Sequence, residues 1–272
     1  MNAVKLANGV EMPGLGLGVF LAGDGGATEN AVAWALEAGY RLIDTAAVYG
    51  NESEVGAGIR RSGVPREEVF VTTKIWNADI RAGRTREAAQ ESLARLGLDY
   101  VDLLLLHWPV EGKEEAWGAL EDLYESGMTR AIGVSNFHLH HLDDLLASSR
   151  VNPMFDQIES HPVMTNQALV DELHARGIAV GAWSPLGGPR VNLLGHPALV
   201  AIARKHGRTV PQVILRWDVQ RQVIAVPKSS KRERIVSNLA VDDFELDDRD
   251  MALIGSLDRG LRVGPDPENF DF

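Results

Sequence analysis

The chain has 272 residues, 45% of them hydrophobic, and it carries a formal net charge of −11 at pH 7. The acidic balance argues against nucleic acid or an anionic membrane as a partner, and no run reaches the roughly 20 apolar residues that span a bilayer. The complete lack of cysteine excludes disulfides and thiolate metal sites and fits a reducing cytoplasm, where we expect the protein to be.

The first predicted elements are a hairpin and a glycine-spaced strand. Short apolar runs at residues 4–6 and 10–12 flank an Asn8-Gly9 turn, which is a strong short-range hairpin signal. Residues 14–19 follow as a strand with glycine at every second position. The phosphate-binding pattern G-x-G-x-x-G fails because Val19 stands in its last place, so we favour small side chains in a crowded strand or room for a ligand to approach.

Helices and strands then alternate. In the first helix, residues 31, 32, 35 and 36 form an apolar stripe at helical spacing, and Thr28 is the predicted cap. The predicted helices cover residues 28–38, 52–61, 84–96, 113–126, 138–149, 166–176, 197–206, 210–220, 231–238 and 247–257.

The strands between these helices share one pattern, an apolar run followed by polar or aromatic residues. The eight strand ends are Val19/Phe20, Asp44, Lys74, His107, Ser135/Asn136, Gln157, Trp183/Ser184 and Lys228/Ser229. Most neighbouring ends are about 30 residues apart, the size of one βα unit. This repeat predicts an α/β fold, a (β/α)8 TIM barrel in a single domain over residues 1–272, with the hairpin as an N-terminal cap and extra C-terminal helices.

Catalytic residues of such barrels lie at the carboxyl ends of the strands. Asp44, Lys74 and His107 reach this rim from three successive strands, and Tyr49 follows on the adjoining loop. The set suits the reduction of a carbonyl group, because a nearby ammonium lowers the pKa of tyrosine and helps Tyr49 to act as general acid. Asp44 would keep Lys74 charged, and His107 would bind the substrate oxygen.

Each residue type also has a plain structural explanation. A strand-end aspartate is more often a turn former than a catalytic group. Likewise, Tyr49 could be a half-buried aromatic residue, Lys74 a charged surface residue and His107 a core residue. The arrival of all four at one rim favours the catalytic interpretation.

The sequence resembles the aldo-keto reductase family over nearly its whole length. The matching stretches are GYRLIDTAAVYGNE, FVTTKIWN, LGLDYVDLLLLHWP, RAIGVSNF, QIESHP, AWSPLG and VPKSSKRERIVSNL. Within that family the chain is most similar to the bacterial 2,5-diketo-D-gluconate reductase type. The resemblance implies that the four rim residues are a catalytic tetrad and that NADPH is the hydride donor.

The resemblance also implies a site for the cofactor. Ser135, Asn136 and Gln157 would hold the nicotinamide carboxamide, while Trp183 would stack on the ring where many relatives have tyrosine. One departure from the family is Asp156, where relatives usually have asparagine. The residues expected to line the pyrophosphate are Ser184, Leu186 and Gly187.

A basic cluster at residues 228–234 would allow an acidic protein to bind a phosphorylated cofactor. Its sequence KSSKRER holds four cations at a strand end and the start of a helix. From composition alone, this is most simply a solvated helix face. Together with the resemblance, it predicts binding of the cofactor phosphates, with the planar guanidinium of Arg234 on the 2′-phosphate. The predicted contacts are Lys228, Ser229, Ser230, Arg234 and, at the adenine, Asn238.

The predicted substrate pocket contains three aromatic residues, Phe20, Trp76 and Trp108. Both tryptophans directly follow rim positions, which are poorly placed for burial inside the barrel. The loop after Trp108 is short and the C-terminal tail is modest, so we expect an open, shallow pocket for small polar carbonyl compounds.

No metal site is predicted. His138, His140 and His141 resemble a metal-binding tract, but no second segment with ligands is identifiable in the sequence. An exposed helix start is the simpler interpretation.

The predicted function is therefore the NADPH-dependent reduction of aldehydes and ketones (small carbonyls, dicarbonyls or keto sugar acids) by a monomeric enzyme. One alternative is an NADPH-binding sensor or accessory protein with low turnover, because a fold does not fix a function. A second is a metal-dependent barrel hydrolase, for which the rim offers only Asp44 and His107 as ligands.

Overall fold

The computed structural model describes residues 3–23, 25–270 and 272. The strands are β1 (Ala3–Lys5), β2 (Glu11–Pro13), β3 (Leu17–Gly18), β4 (Leu42–Asp44), β5 (Phe70–Ile75), β6 (Leu103–Leu106), β7 (Ile132–Ser135), β8 (Phe155–Glu159), β9 (Ala179–Trp183) and β10 (Val223–Ala225). The helices are α1 (Ala27–Ala38), α2 (Glu52–Ser62), α3 (Asn77–Arg81), α4 (Thr85–Leu96), α5 (Lys113–Glu125), α6 (Leu139–Leu146), α7 (Gln167–Ala175), α8 (Pro197–His206), α9 (Val210–Gln220), α10 (Arg232–Leu239) and α11 (Asp248–Gly255). Two 3-10 turns cover Ala47–Tyr49 and Arg66–Glu68.

Strands β3 to β10 form one parallel sheet in the order of the sequence. The two edges of this sheet meet, because Gly16 N–H donates to the Ala225 carbonyl oxygen at 2.9 Å and Gly18 N–H donates to that of Pro227 at 3.1 Å. Eight parallel strands with intervening helices are a (β/α)8 TIM barrel, so the predicted fold class is confirmed.

The small residues of β3 allow the barrel to close. A Cβ added at Gly18 would lie 2.6 Å from the Val226 carbonyl oxygen, and one at Gly16 would overlap the Leu42 side chain. A larger residue at Gly18 would push the two edge strands apart, and one at Gly16 would displace the side chain of Leu42 in the neighbouring strand β4. The glycine spacing therefore reflects crowding, which is one of the two explanations that the sequence predicts.

The hairpin lies at the amino end of the barrel. Strands β1 and β2 pair antiparallel around Asn8 and Gly9. The Asn8 side chain donates to the Arg130 carbonyl oxygen at 2.9 Å, just before β7 begins. The hairpin thus covers the end opposite the carboxyl rim of the barrel.

Two hydrophobic clusters fill the molecule. The larger one holds the strand residues, such as the four leucines of β6, and the inward faces of the helices around them. The smaller one lies among α8, α9 and α11, with Leu199, Val213 and Ile254 fully buried. Full burial of one such side chain stabilises the fold by about 1.5–3 kcal/mol.

The helices lie where the apolar spacing predicts them, with two differences. Helix α1 begins at Ala27 after a left-handed Gly26, so Thr28 lies inside the first turn and the prediction that it caps the helix is wrong. Helix α3 was not predicted, because five residues are too few to show a helical period. Within the described ranges, no helix combines the length and the apolar character needed to cross a bilayer.

Candidate active site

A buried lysine lies at the centre of the carboxyl rim. Lys74, in β5, has no exposed surface, and its Nζ donates to Asp44 Oδ1 at 2.7 Å and to the Thr45 carbonyl oxygen at 2.9 Å. Asp44 ends the neighbouring strand β4, and its second oxygen accepts a hydrogen bond from Gln157 Nε2 at 2.8 Å. A buried ion pair needs such additional hydrogen bonds to offset its desolvation.

Tyr49 and His107 lie beside this ion pair. Tyr49 ends the 3-10 turn after β4, and Lys74 Nζ lies 5.3 Å from the centre of its ring. The ring of His107 meets that of Tyr49 edge to face, with 5.8 Å between their centres. The structure therefore brings the four predicted rim residues together at one place.

The protonation states of the cluster follow from burial and from Lys74. Burial lowers the pKa of Lys74, but Asp44 and Tyr49 raise it further, so the net shift is upward and the amine is charged. Burial also raises the pKa of Tyr49, and the opposing effect of Lys74 is smaller. Lys74 lowers the pKa of Tyr49 as expected from the sequence, but the net shift is upward, and the phenol holds its proton at neutral pH.

His107 is neutral in this site. Burial, followed by the positive charge of Lys74, lowers the pKa of His107 well below its usual value. Its Nδ1 is buried and makes no hydrogen bond to the described part of the protein. A neutral imidazole can donate a hydrogen bond to a substrate oxygen without bringing a second positive charge next to the lysine.

Two polar residues that the sequence analysis missed fix the loop that carries Tyr49. Asn51 Nδ2 donates to the Val19 carbonyl oxygen at 2.9 Å, and its Oδ1 accepts from Thr45 Oγ at 2.9 Å. Glu52 is buried at the start of α2 and is bonded to strand β5 and helix α4. Asn51 and Glu52 directly follow Tyr49 and Gly50 in the sequence. Their position next to the predicted catalytic tyrosine was the signal that could have identified them.

The residues predicted to hold the nicotinamide form a hydrogen-bonded row across β7, β8 and β9. Ser135 Oγ donates to the Gln157 carbonyl oxygen at 2.9 Å. Asn136 Nδ2 donates to the His107 carbonyl oxygen at 3.0 Å, and Asn136 Oδ1 accepts from Trp183 Nε1 at 2.7 Å. This row links the candidate cofactor site directly to His107 at the carboxyl rim.

Asn136 and Ser184 both adopt left-handed backbone conformations, with φ of 64° and 50°. Such conformations are costly for residues other than glycine and cluster at functional sites. Gly187, with φ of 72°, donates its N–H to the Ser184 carbonyl oxygen at 2.8 Å, and Leu186 is half-buried in the same turn. The loop after β9 is therefore a tight turn at the rim.

The basic cluster lies at the start of α10. Ser229 is buried, and its Oγ accepts the N–H of Lys231 at 3.2 Å, whereas Ser230 and Arg234 are exposed. Arg232 pairs with Glu37, but no acidic residue of the described chain pairs with Lys228, Lys231 or Arg234. Asn238 is buried in the last turn of this helix. Three cations thus remain available to an anion. 

A cavity of about 530 Å³ opens between the rim and this region. It is lined by every member of the predicted tetrad except the fully buried Lys74. The other predicted site residues that line it are Phe20, Trp76, Trp108, Ser135, Asn136, Gln157, Trp183, Ser184 and Lys228. The remaining predicted contacts, Leu186, Gly187, Ser229, Ser230, Arg234 and Asn238, do not line this cavity.

The C-terminal tail forms more of the cavity wall than predicted. The ring of Phe272 stacks on Trp76 with 5.7 Å between centres, and Phe270 and Phe272 both pack on Trp108. Trp108 is consequently only 6% exposed, while Phe20 is 54% exposed. The expected open pocket is therefore covered on the Trp108 side and open on the Phe20 side.

The tail also reaches the histidine tract. One ligand atom from each of His138, His141 and Glu268 lies within 4.8 Å of the others, so the tail supplies the second segment that the sequence analysis did not find. Both ring nitrogens of His138 and Nδ1 of His141 already have partners, however. His138 hydrogen-bonds Glu268 and Arg262, and His141 Nδ1 accepts the His138 N–H at 3.1 Å. The positive charge of the Arg262 guanidinium would also repel a bound metal cation. We therefore interpret the cluster as an anchor for the tail.

Comparison with known proteins agrees with this geometry. Residues 15–259 match the model of the Aldo/keto reductase family. The chain belongs to this family. It is 49% identical to glyoxal reductase of Bacillus subtilis, over 100% of the chain and 98% of that protein.

Two solved structures of aldo-keto reductases are similar over almost their full length. One is the enzyme MGS-M4 from a Medee basin deep-sea metagenome library (TM-score 0.95, 45% identity, 99% of this chain and 100% of that one). The other is the Bombyx mori enzyme AKR2E4 in complex with NADP (TM-score 0.93, 37% identity, 97% and 95%). This aldo/keto reductase is thus an oxidoreductase of a family that acts on carbonyl compounds, which argues against the barrel-hydrolase alternative.

Proposed function

We propose that this protein reduces aldehydes and ketones to alcohols with NADPH and that Tyr49 is the general acid. The observation that carries the proposal is the contact between Lys74 and Asp44 beneath the Tyr49 phenol, at the wall of a cavity that also contains His107. A charged amine in a buried position stabilises the phenolate that forms when the proton leaves.

The residues at the rim fit NADPH. The indole of Trp183 forms part of the cavity wall, next to the amides of Asn136 and Gln157. Lys228, Lys231 and Arg234 are free of acidic partners in the described chain, and exposed cations at a helix start suit phosphate groups. When bound there, the nicotinamide would supply the hydride.

The protein residues would act on the carbonyl oxygen. His107 would donate a hydrogen bond to it and hold the carbonyl group beside Tyr49. The Tyr49 hydroxyl would transfer its proton to this oxygen as negative charge develops. Lys74, held by Asp44, would lower the energy of the resulting phenolate, and the buried surroundings would keep this interaction strong.

The pocket suits small substrates with some apolar surface. Phe20, Trp76 and Trp108 provide aromatic walls, and Phe272 limits the depth of the cavity on one side. The similarity to glyoxal reductase supports dicarbonyl compounds as one substrate class. Keto sugar acids, as used by the 2,5-diketo-D-gluconate reductase type, are a further candidate. We propose that the enzyme works as a cytoplasmic monomer.

A steady-state screen tests the proposal. The purified protein would be given glyoxal, methylglyoxal, a diketo sugar acid or an aromatic aldehyde, with NADPH or NADH, and dihydronicotinamide oxidation would be followed by absorbance. We expect turnover with at least one dicarbonyl and a higher kcat/KM with NADPH. Tight NADPH binding without turnover of any of these compounds would instead support the sensor or accessory role.

A further inference from the structure

A buried carboxylate at the end of β8 lies outside the proposed tetrad and holds the C-terminal tail. The side chain of Glu159 has no exposed surface. Its Oε1 accepts the backbone N–H of Val263 at 2.6 Å and lies 2.9 Å from His161 Nε2, and its Oε2 accepts the N–H of Gly264 at 3.4 Å. The guanidinium of Arg262 lies 4.0 Å away. 

The tail segment held in this way packs on Trp183. A Cβ added at Gly264 would overlap the benzene ring of the indole, so only the bare backbone fits there. Glu159 and Trp183 are also register partners on neighbouring strands. The indole N–H in turn donates to Asn136, which is bonded to the His107 backbone. A continuous set of contacts therefore runs from Glu159 through the tail to the catalytic rim.

We propose that Glu159 is a positioning residue that holds the backbone of Val263 and Gly264 against Trp183 and thereby fixes the indole for cofactor binding. This inference deepens the proposed function and rests on it, since it takes Trp183 as the ring beside the nicotinamide. Glu159 itself touches neither the cavity nor the tetrad, because it is absent from the cavity wall and its carboxylate faces the tail.

The chemistry of the contact requires a carboxylate. The backbone N–H groups of Val263 and Gly264 and the nearby guanidinium of Arg262 can only donate, and a carboxylate accepts on both oxygens. A glutamine has nearly the same shape, but its amide nitrogen would point a donor at one of these donors. The tail would then lose at least one hydrogen bond to a charged group, which is worth about tenfold or more in an equilibrium constant.

The primary test is the variant Glu159→Gln, compared with Glu268→Gln. The latter removes an acidic contact of the same tail, but at the exposed histidine anchor. Hydrogen exchange followed by mass spectrometry would report on the amides of Val263 and Gly264 in the cofactor-free protein. We expect exchange at these amides to speed up at least about tenfold in Glu159→Gln and to stay unchanged in Glu268→Gln.

Cofactor binding separates positioning from a general structural role. In Glu159→Gln we expect the Kd and KM for NADPH to rise about tenfold, with kcat per folded molecule within about threefold of the wild type. A purely structural role would lower the folded fraction or the Tm and leave the constants of the folded molecules unchanged. That result, or unchanged amide exchange, would overturn the proposal.

A second variant keeps the test decisive if Glu159→Gln does not fold. Gly264→Ala leaves the carboxylate in place and pushes the tail away from the Trp183 ring. It should weaken NADPH binding to a similar degree, and normal affinity would contradict the inference. If the wild type oxidises no NADPH with any carbonyl, the proposed function fails, whereas hydrogen exchange still tests the contact between Glu159 and the tail.

Discussion

At the residue scale, the candidate site depends on one buried amine with three neighbours. Lys74 binds Asp44, contacts the face of Tyr49 and depresses the pKa of His107. Burial keeps the imidazole neutral and the charge of Lys74 adds to this effect, while the same charge favours the phenolate once a proton has left. The resting phenol stays protonated because burial outweighs the effect of the amine, and a general acid must hold its proton before it reacts.

Replacement of Tyr49 by phenylalanine tests this assignment. We expect Tyr49→Phe to lower kcat/KM for carbonyl reduction by about 10²–10⁴-fold, the usual contribution of a general acid. The Kd for NADPH should stay within about twofold, because the ring and its packing on Phe20 remain. Stopped-flow turnover and fluorescence titration would measure the two quantities.

A matched control is available at Tyr124, whose hydroxyl accepts a hydrogen bond from Asn8 at the opposite end of the barrel. Tyr124→Phe removes the same atom and should leave turnover unchanged. Wild-type kcat in Tyr49→Phe would remove this residue from the proposed mechanism.

The positions of residues at the ends of strands could be predicted from the sequence. The contacts that other residues make with the C-terminal tail could not. Asp44, Lys74 and His107 could be located because parallel strands bring their carboxyl ends to one rim. The contact of Trp108 with Phe272 could not be predicted, since no local pattern fixes where a loop folds back after 164 residues. Packing around the Tyr49 phenol likewise has no local signal in the sequence, so the sequence indicated the lowering of its pKa by Lys74 but not the larger opposing effect of burial.

At the scale of elements, α10 carries the expected preference for NADPH. Its first turns expose Arg234, which has no acidic partner in the part of the chain that the structure describes. The neighbouring Arg232 instead pairs with Glu37 at 3.2 Å. The two arginines therefore form a natural pair of test and control positions on one short helix.

Arg234→Ala should raise the KM for NADPH by about tenfold or more and change that for NADH by less than about twofold. A charge-assisted contact with the 2′-phosphate is the reason, because NADH lacks this group. Arg232→Ala should affect neither cofactor strongly. Steady-state kinetics with both cofactors would decide, and equal losses with NADPH and NADH would argue against 2′-phosphate recognition.

The elements themselves were predictable to the extent that they are long and periodic. Helices such as α4 and α9 carry a full apolar stripe, and their predicted and observed bounds differ by at most one residue. The five-residue α3 has no such stripe, and the glycine before α1 gave no sign that the helix begins there. Short elements of this kind are set by tertiary contacts.

At the scale of the whole molecule, two buried carboxyl groups affect stability. Burial raises the pKa of Asp156 well above its usual value, and only the Phe137 N–H opposes this. Burial likewise raises the pKa of Asp218 to about 8, with Arg221 opposing. An unfolded aspartate has a pKa of about 3.9, so above that pH the folded state keeps protons that the unfolded state has lost.

The free energy of unfolding should therefore fall as the pH rises from about 4, the pKa of an unfolded aspartate, to the raised pKa of the folded state. Each of the two groups contributes stability that is fully present below about pH 4 and is lost as pH approaches the pKa of the folded state, at about 1.4 kcal/mol per pH unit. For Asp218 the window ends near pH 8, the value of its raised pKa. A chain with net charge −11 also gains self-repulsion in the same direction.

Asp156→Asn isolates one of these contributions. Asparagine has nearly the shape of the protonated acid, so we expect little change in the free energy of unfolding at or below about pH 4 and a growing gain toward about pH 8. Urea melts across this range would measure the slope. Asp171→Asn, at an exposed position of α7, serves as the control and should leave the slope unchanged. Equal slopes for the wild type and Asp156→Asn would mean that Asp156 is ionised in the folded protein and that an unrecognised donor compensates its charge.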